Sequence, residues 1–141
     1  MNQKNVREAV YGNYAEGFHC AESVAGSILK AHGTDRDLEA VRAASAFRGG
    51  IGACKKDVCG ALTGGLVAIG QLFGRNGGGE DIDELMQMAR GFREEFIQQF
   101  GSTNCAELME HVSKSPILGS CQDLSAAAAA LLDTLIVKYK K

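Results

Sequence analysis

Apolar side chains recur every three or four residues along most of the chain, the spacing that places them on one face of an α-helix. The pattern is clearest over residues 81–100, where it continues to Phe100 before Gly101 ends the helix. Similar patterns predict helices over residues 3–16, 20–33, 37–47, 59–73 and 105–112, and a last helix from Cys121. The apolar stripes of these helices are expected to meet in a common core.

Glycine interrupts this pattern in two places. Residues 48–58, RGGIGACKKDV, have closely spaced glycines and no helical periodicity, so they are predicted to form a loop. In the helix that follows, Gly60, Gly64 and Ala68 share a second face of small residues. A glycine within a helix costs about 1 kcal/mol relative to alanine. These glycines therefore indicate the close approach of another backbone or of a ligand.

Composition favours the same fold class. The 141 residues are 45% hydrophobic, include no Trp, and are rich in helix formers with few runs of β-branched residues. A chain of this length suits one compact domain, expected here over residues 1–141. We predict an all-α, single-domain bundle of about six or seven helices with a glycine-rich loop.

Charge and hydropathy exclude several classes of function. The chain has 15 Lys and Arg against 17 Asp and Glu, a net charge of −2, so it has no excess of cations to neutralise a nucleic acid. No apolar run approaches the roughly 18 residues of a membrane span, and the polar start MNQKNVREAV is unlike a signal peptide. A cytoplasmic protein without a membrane span is expected.

The cysteines are the strongest indication of chemistry. Five cysteines in a reducing compartment indicate metal binding or thiol chemistry rather than a disulfide framework. Four of them lie in the first turn of a predicted helix: Cys20, Cys59, Cys105 and Cys121. The unpaired amides and partial positive charge of a helix start favour a thiolate over a thiol. These positions are therefore suited to anionic sulfur.

Capping patterns and topology indicate whether these cysteines could meet. Asn104 and Ser120 are spaced as N-caps with acidic partners three residues later, which places Cys105 and Cys121 at the first helical position. Helices joined by short connections alternate in direction, so the even-numbered helices, which Cys20, Cys59 and Cys105 begin, share one end of a bundle. Cys121 begins an odd-numbered helix, but the connector over residues 113–119 is long enough to double back.

These residues resemble a family of small redox-active proteins labelled by the pattern C, GCAxxG, C, C. Cys20 in HCAESV matches the first cysteine, and CGALTG over residues 59–64 matches the glycine motif, with the cysteine preceding the glycine. Cys105 in FGSTNCAEL and Cys121 match the third and fourth cysteines. The cysteine module is also similar to that of split-Soret-type cytochromes, which implies an iron–sulfur centre. Haem is not expected, because the chain has no CxxCH site.

The leading hypothesis is an electron-transfer protein in which four cysteines bind one metal centre, with a [2Fe–2S] cluster preferred over zinc. Its ligands would be Cys20, Cys59, Cys105 and Cys121, bordered by Gly60 and Gly64. His19 could act as another ligand or proton carrier, although an N-cap role is more common for a histidine in this position. The partner would be a redox protein that the sequence does not identify, and a homo-oligomer is a further option.

Two alternatives need no metal. In a thiol–disulfide oxidoreductase, Cys54 and Cys59 would form the reactive pair, with Lys55 and Lys56 lowering the pKa of a nearby thiol. In a non-catalytic helical scaffold, the cysteines would be buried small side chains.

Overall fold

The computed structural model describes residues 3–140, and within them the protein is a single bundle of seven helices without strands. The α-helices are α1 (Gln3–Ala15), α2 (Cys20–His32), α3 (Gly60–Phe73), α4 (Asp83–Phe100), α5 (Cys105–Lys114) and α6 (Cys121–Lys140), and a 3₁₀ helix (Asp37–Phe47) lies between α2 and α3. The predicted all-α class is confirmed. Residues 1, 2 and 141 of the predicted domain lie outside the described part of the chain.

The segment Asp37–Phe47 is helical as predicted, but its helix is 3₁₀ rather than α. Its inward-facing residues explain the difference, because they are spaced by three. Leu38, Val41, Ala44 and Phe47 are all buried or half-buried against the core. A 3₁₀ helix has three residues per turn and aligns these side chains on one line.

The last helix, α6, lies at the centre of the bundle and packs against the five other α-helices. The apolar spacing of α6 predicts a core stripe of Leu124, Ala128, Leu131, Leu135 and Tyr139. That stripe is too narrow, because Ala126, Ala129, Leu132 and Ile136 are buried as well. Five consecutive alanines at residues 126–130 let neighbouring helices approach from several sides. At the far end Tyr139, also predicted to be in the core, is 37% exposed.

The small face of α3 packs directly on the backbone of α2. Gly60, Gly64 and Ala68 are all buried, as expected for a face that another backbone approaches. A Cβ atom on Gly64 would overlap the carbonyl of Ala21 and lie 2.7 Å from its Cα atom. The close approach predicted from the glycine spacing is therefore a contact between two helix backbones.

None of the helices described over residues 3–140 is long and apolar enough to cross a membrane.

We expect Gly64→Ala to lower the free energy of unfolding by about 1–3 kcal/mol, since the added methyl group must push α2 and α3 apart. Gly70→Ala is the matched control on the same helix, because a Cβ atom there would meet nothing within 4 Å. That substitution should stabilise the protein by about 0.5–1 kcal/mol through helix propensity. Chemical denaturation measures both values. Equal effects of the two substitutions would contradict the close crossing.

Candidate functional site

The starts of α2, α3, α5 and α6 surround one cavity of about 190 Å³. All four cysteines predicted to act together line it: Cys20, Cys59, Cys105 and Cys121. Cys59 and Cys105 are buried, Cys20 is half-buried and Cys121 is exposed, so the cavity runs from the core to the surface. Cys54 is exposed and is not among the lining residues.

Cys20 is the first residue of α2, and His19 is its N-cap. The carboxylate of Glu22 accepts a hydrogen bond from the backbone N–H of His19 at 3.3 Å, which satisfies one unpaired donor of the helix start. His19 therefore has the N-cap role considered in the sequence analysis, and it also lines the cavity. The backbone N–H of Gly49 donates to the sulfur of Cys20 across 3.5 Å.

Cys59 and Cys105 are held beside each other by backbone pairing between the segments that precede α3 and α5. The N–H of Cys59 donates to the carbonyl of Thr103 at 2.7 Å, and the N–H of Cys105 donates to the carbonyl of Asp57 at 2.8 Å. These bonds flank an isolated antiparallel bridge between Val58 and Asn104. Cys59 is consequently the N-cap of α3, one residue before the predicted first position.

The N-caps predicted for α5 and α6 are confirmed. The side-chain oxygen of Asn104 accepts from the N–H of Glu107 at 3.2 Å, and the hydroxyl of Ser120 accepts from the N–H of Asp123 at 3.2 Å. The acidic side chain of Glu107 does not accept a hydrogen bond from the backbone N–H of its N-cap residue in return. Glu107 accepts from the hydroxyl of Ser102, and Asp123 accepts from the hydroxyl of Tyr11 on α1.

The chain reverses between α5 and α6, which brings Cys121 to the same end of the bundle as the other three. The hydroxyl of Ser115 accepts hydrogen bonds from the N–H groups of Ile117 and Leu118, at 3.2 and 2.9 Å. This turn ends α5 after ten residues, and Leu118 packs against the core. The connector therefore reverses direction, as the sequence analysis required for Cys121 to join the other three cysteines.

Gly60 lets the sulfur of Cys20 lie directly against the start of α3. A Cβ atom on Gly60 would overlap that sulfur and would lie 3.0 Å from the carbonyl oxygen of Phe47. Gly64, one turn further along α3, is not a lining residue of the cavity. The two glycines thus have different roles, since Gly60 makes room for a site cysteine and Gly64 makes room for a helix backbone.

Burial opposes ionisation of the cavity cysteines. It raises the pKa of Cys59 to about 12, against the opposing effect of the backbone N–H groups of Ala61 and Leu62. Burial also raises the pKa of Cys105 and of Cys121, and negative charge at Cys20 adds to the rise in all three. The expectation that helix starts favour thiolates is wrong for these three positions, because loss of hydration outweighs the partial charge of the helix.

Two cations lie at the cavity, and no carboxylate within residues 3–140 lines it. Arg48 and Lys55 both come from the turns between the 3₁₀ helix and α3. The charge of Lys55 partly opposes the rise in pKa at Cys105 and Cys121. The electrostatic environment therefore favours an anionic occupant.

Cys54 has the opposite environment to the buried cysteines. It is exposed, and the N–H of Lys56 donates to its sulfur at 3.4 Å. Hydrogen bonds from the backbone N–H groups of Lys56 and Ile51 lower the pKa of this thiol. The sequence predicted a lowered thiol pKa from the ammonium groups of Lys55 and Lys56. In the structure the lowering comes instead from backbone N–H donors. Ala53 and Lys55, on either side, have φ angles of 60° and 63°.

Sequence reasoning missed several lining residues, including Tyr14 of α1 and the apolar wall of Leu108, Met109 and Leu124. The hydroxyl of Tyr14 lies 3.0 Å from that of Ser125, and burial raises the pKa of Tyr14, so it remains a neutral phenol. Val6, Val10 and Tyr14 are spaced by four along α1, which predicts that they share one face of the helix but indicates no chemistry. No sequence signal distinguished Met109 from a surface residue.

We expect Cys54 to react fastest with iodoacetamide at neutral pH in metal-free protein, because its lowered pKa makes more thiolate available. Cys59 should remain unmodified until the pH approaches its pKa of about 12 or the protein unfolds. Peptide mass spectrometry over a pH series measures each site. Alkylation of Cys59 as fast as that of Cys54 near pH 7 would contradict the assigned environments.

Comparison with known proteins matches the chain to a family. No curated protein and no solved structure matches the chain. The family model described as "Putative redox-active protein (C_GCAxxG_C_C)" matches residues 18–135, a range that includes all four cavity cysteines. The chain therefore belongs to this family.

Proposed function

We propose that Cys20, Cys59, Cys105 and Cys121 hold one iron–sulfur centre, with [2Fe–2S] the preferred form, and that the protein transfers electrons through it. The observation that carries the proposal is the convergence of four helix starts, each bringing one cysteine, on a single cavity. Four thiolates are the usual ligand set of such clusters. Membership of a redox-active family supports the same class of chemistry.

The size of the cavity supports a group larger than one ion. A volume of about 190 Å³ is more than ten times the ~10–15 Å³ that a cavity needs to hold one water molecule. Within residues 3–140, no three Cys, His, Asp or Glu side chains are grouped closely enough to hold a single metal ion. A structural zinc site needs four ligands in a compact tetrahedron, with sulfur ~2.3 Å from the metal. A cluster of several atoms would extend across a cavity of this size between the four helix starts.

The residues around the cavity suit the chemistry of an anionic group. An iron–sulfur cluster, when bound, accepts and releases one electron at a time, and its potential depends on hydrogen bonds to the sulfurs and on exposure. The N–H of Gly49 supplies one such hydrogen bond, to Cys20. Arg48 and Lys55 supply positive charge at the cavity.

Binding should also depend on pH in a defined direction. Burial raises the pKa of Cys59, Cys105 and Cys121, so these ligands are protonated thiols at neutral pH when no metal is bound. Each must lose its proton to bind, and metal affinity therefore increases as the pH rises.

A thiol–disulfide oxidoreductase is the second candidate, and the exposed, low-pKa thiol of Cys54 favours it. The thiolate of Cys54 would attack a disulfide, release one thiolate and form a mixed disulfide. The Cys59 thiolate would then attack the sulfur of Cys54, forming an internal disulfide and releasing the second thiolate. A pKa of about 12 at Cys59 makes this second step slow. The metal centre is therefore the better-supported function.

We expect Cys59→Ser to lose most of its bound iron and sulfide, and Cys54→Ser to keep the metal content of the parent. Cys59 lies at the buried end of the cavity, whereas Cys54 is not one of its lining residues. Iron, sulfide and zinc analysis of proteins purified without oxygen measures both variants, and circular dichroism verifies that each is folded.

Equal loss of metal in the two variants would show that the ligand set is wrong. If the parent protein contains zinc but no sulfide, the site binds zinc and the iron–sulfur proposal is wrong. Metal-free protein with a reversible disulfide between Cys54 and Cys59 would favour the oxidoreductase.

A further inference from the structure

The mouth of the cavity has a charge opposite to that of the whole protein. The chain carries a net charge of −2, yet the charged residues that line the cavity within residues 3–140 are the exposed Arg48 and Lys55. Met109 of α5 also lines the cavity and is 39% exposed. The mouth therefore combines two cations with an exposed apolar side chain.

The carboxylates near the helix starts accept hydrogen bonds from neighbours of their own. Glu22 accepts from the N–H of His19 and from the hydroxyl of Ser45, each at 3.3 Å. Glu107 accepts from Ser102, and Asp123 accepts from Tyr11 and from the N–H of Gly119. None of these carboxylates pairs with Arg48 or Lys55 in the part of the chain that the structure describes. Both cations remain available to a partner.

Backbone hydrogen bonds fix the turns on which the two cationic residues lie. The N–H of Lys55 donates to the carbonyl of Gly49 at 2.7 Å, and the N–H of Ala53 donates to the carbonyl of Arg48 at 2.8 Å. These bonds close the turns that carry both residues. Binding of a partner to Arg48 and Lys55 would therefore cost little entropy for ordering this backbone.

We propose that an acidic protein surface docks over the mouth of the cavity, with its carboxylates on Arg48 and Lys55 and apolar contact at Met109. The inference rests on the proposed function, because electron transfer requires a redox partner to approach the centre. Complementary charge selects a partner and speeds its encounter, and apolar contact then adds affinity. A redox protein with an acidic face around its own centre fits this mouth.

A labelled polyglutamate peptide serves as the probe, and fluorescence anisotropy measures its binding to the purified holoprotein. Binding should be clear at about 0.01 M salt and much weaker at about 0.15 M, since the Debye length falls from ~30 to ~8 Å. The double substitution Arg48→Gln/Lys55→Gln should weaken binding roughly tenfold. Lys55→Arg should retain it, because the charge is kept.

Lys30→Gln/Lys138→Gln is the matched control, with the same loss of two charges. Both lysines are exposed, and along α2 and α6 they lie ~15 and ~26 Å from Cys20 and Cys121 at 1.5 Å per residue. This variant should bind the peptide like the parent. Equal weakening in the two double variants, or no binding by the parent at low salt, would overturn the proposal. Tighter binding of a single-stranded oligonucleotide of equal charge would also overturn it.

Metal analysis of the same samples separates this proposal from the function on which it rests. The double variant keeps all four thiol ligands but loses positive charge at the cavity, so iron and sulfide are measured in every sample and peptide binding is compared at equal metal content. If the parent contains its full metal and the Arg48→Gln/Lys55→Gln variant binds the peptide as tightly as the parent, the docking surface is refuted and the proposed function is not. Metal-free protein that still binds the peptide through Arg48 and Lys55 would refute the iron–sulfur function and retain the surface.

Discussion

The backbones of α2 and α3 cross so closely that neither Gly60 nor Gly64 has room for a side chain. At Gly64 the space is taken by the backbone of Ala21, and at Gly60 it is taken by the sulfur of Cys20. The crossing therefore sets the position of the first cysteine relative to the start of α3, where Cys59 caps the helix. Backbone pairing beside Cys59 then places Cys105, and the reversal after α5 places Cys121. The whole candidate site is built outward from this helix crossing.

Two electrostatic effects compete within the site. Helix starts and the nearby cations favour negative charge, while burial favours neutral thiols. Burial dominates at Cys59, Cys105 and Cys121, and their pKa values are raised. A bound metal would supply the positive charge that four anionic sulfurs need in such a cavity. The same burial that keeps these thiols unreactive would protect a bound centre from water, whereas the exposed thiol of Cys54 has no such protection.

Local sequence signals were sufficient to predict most of the fold. The helix bounds depend on residues close in sequence, such as the caps Asn104 and Ser120, and the structure places α5 and α6 where those caps indicate. The 3₁₀ geometry of Asp37–Phe47 was missed, although its apolar spacing of three was present in the sequence. For α6, burial on several sides depends on its central position, which no local pattern contains.

The composition of the candidate site was harder to predict than its cysteines. Four cysteines at helix starts were visible in the sequence, but the pairing of Val58 with Asn104 joins residues 46 positions apart. Arg48 and Tyr14 reach the cavity from other elements without any motif of their own. The pKa directions of Cys59, Cys105 and Cys121 were predicted wrongly, because burial depends on the assembled bundle rather than on the helix start alone.

The visible absorption spectrum of protein purified without oxygen tests the central claim most directly. If the four cysteines hold an iron–sulfur centre, the protein should be coloured by sulfur-to-iron charge transfer, and the colour should fade reversibly when dithionite supplies an electron. A colourless protein, still colourless after anaerobic incubation with iron and sulfide, would contradict the account.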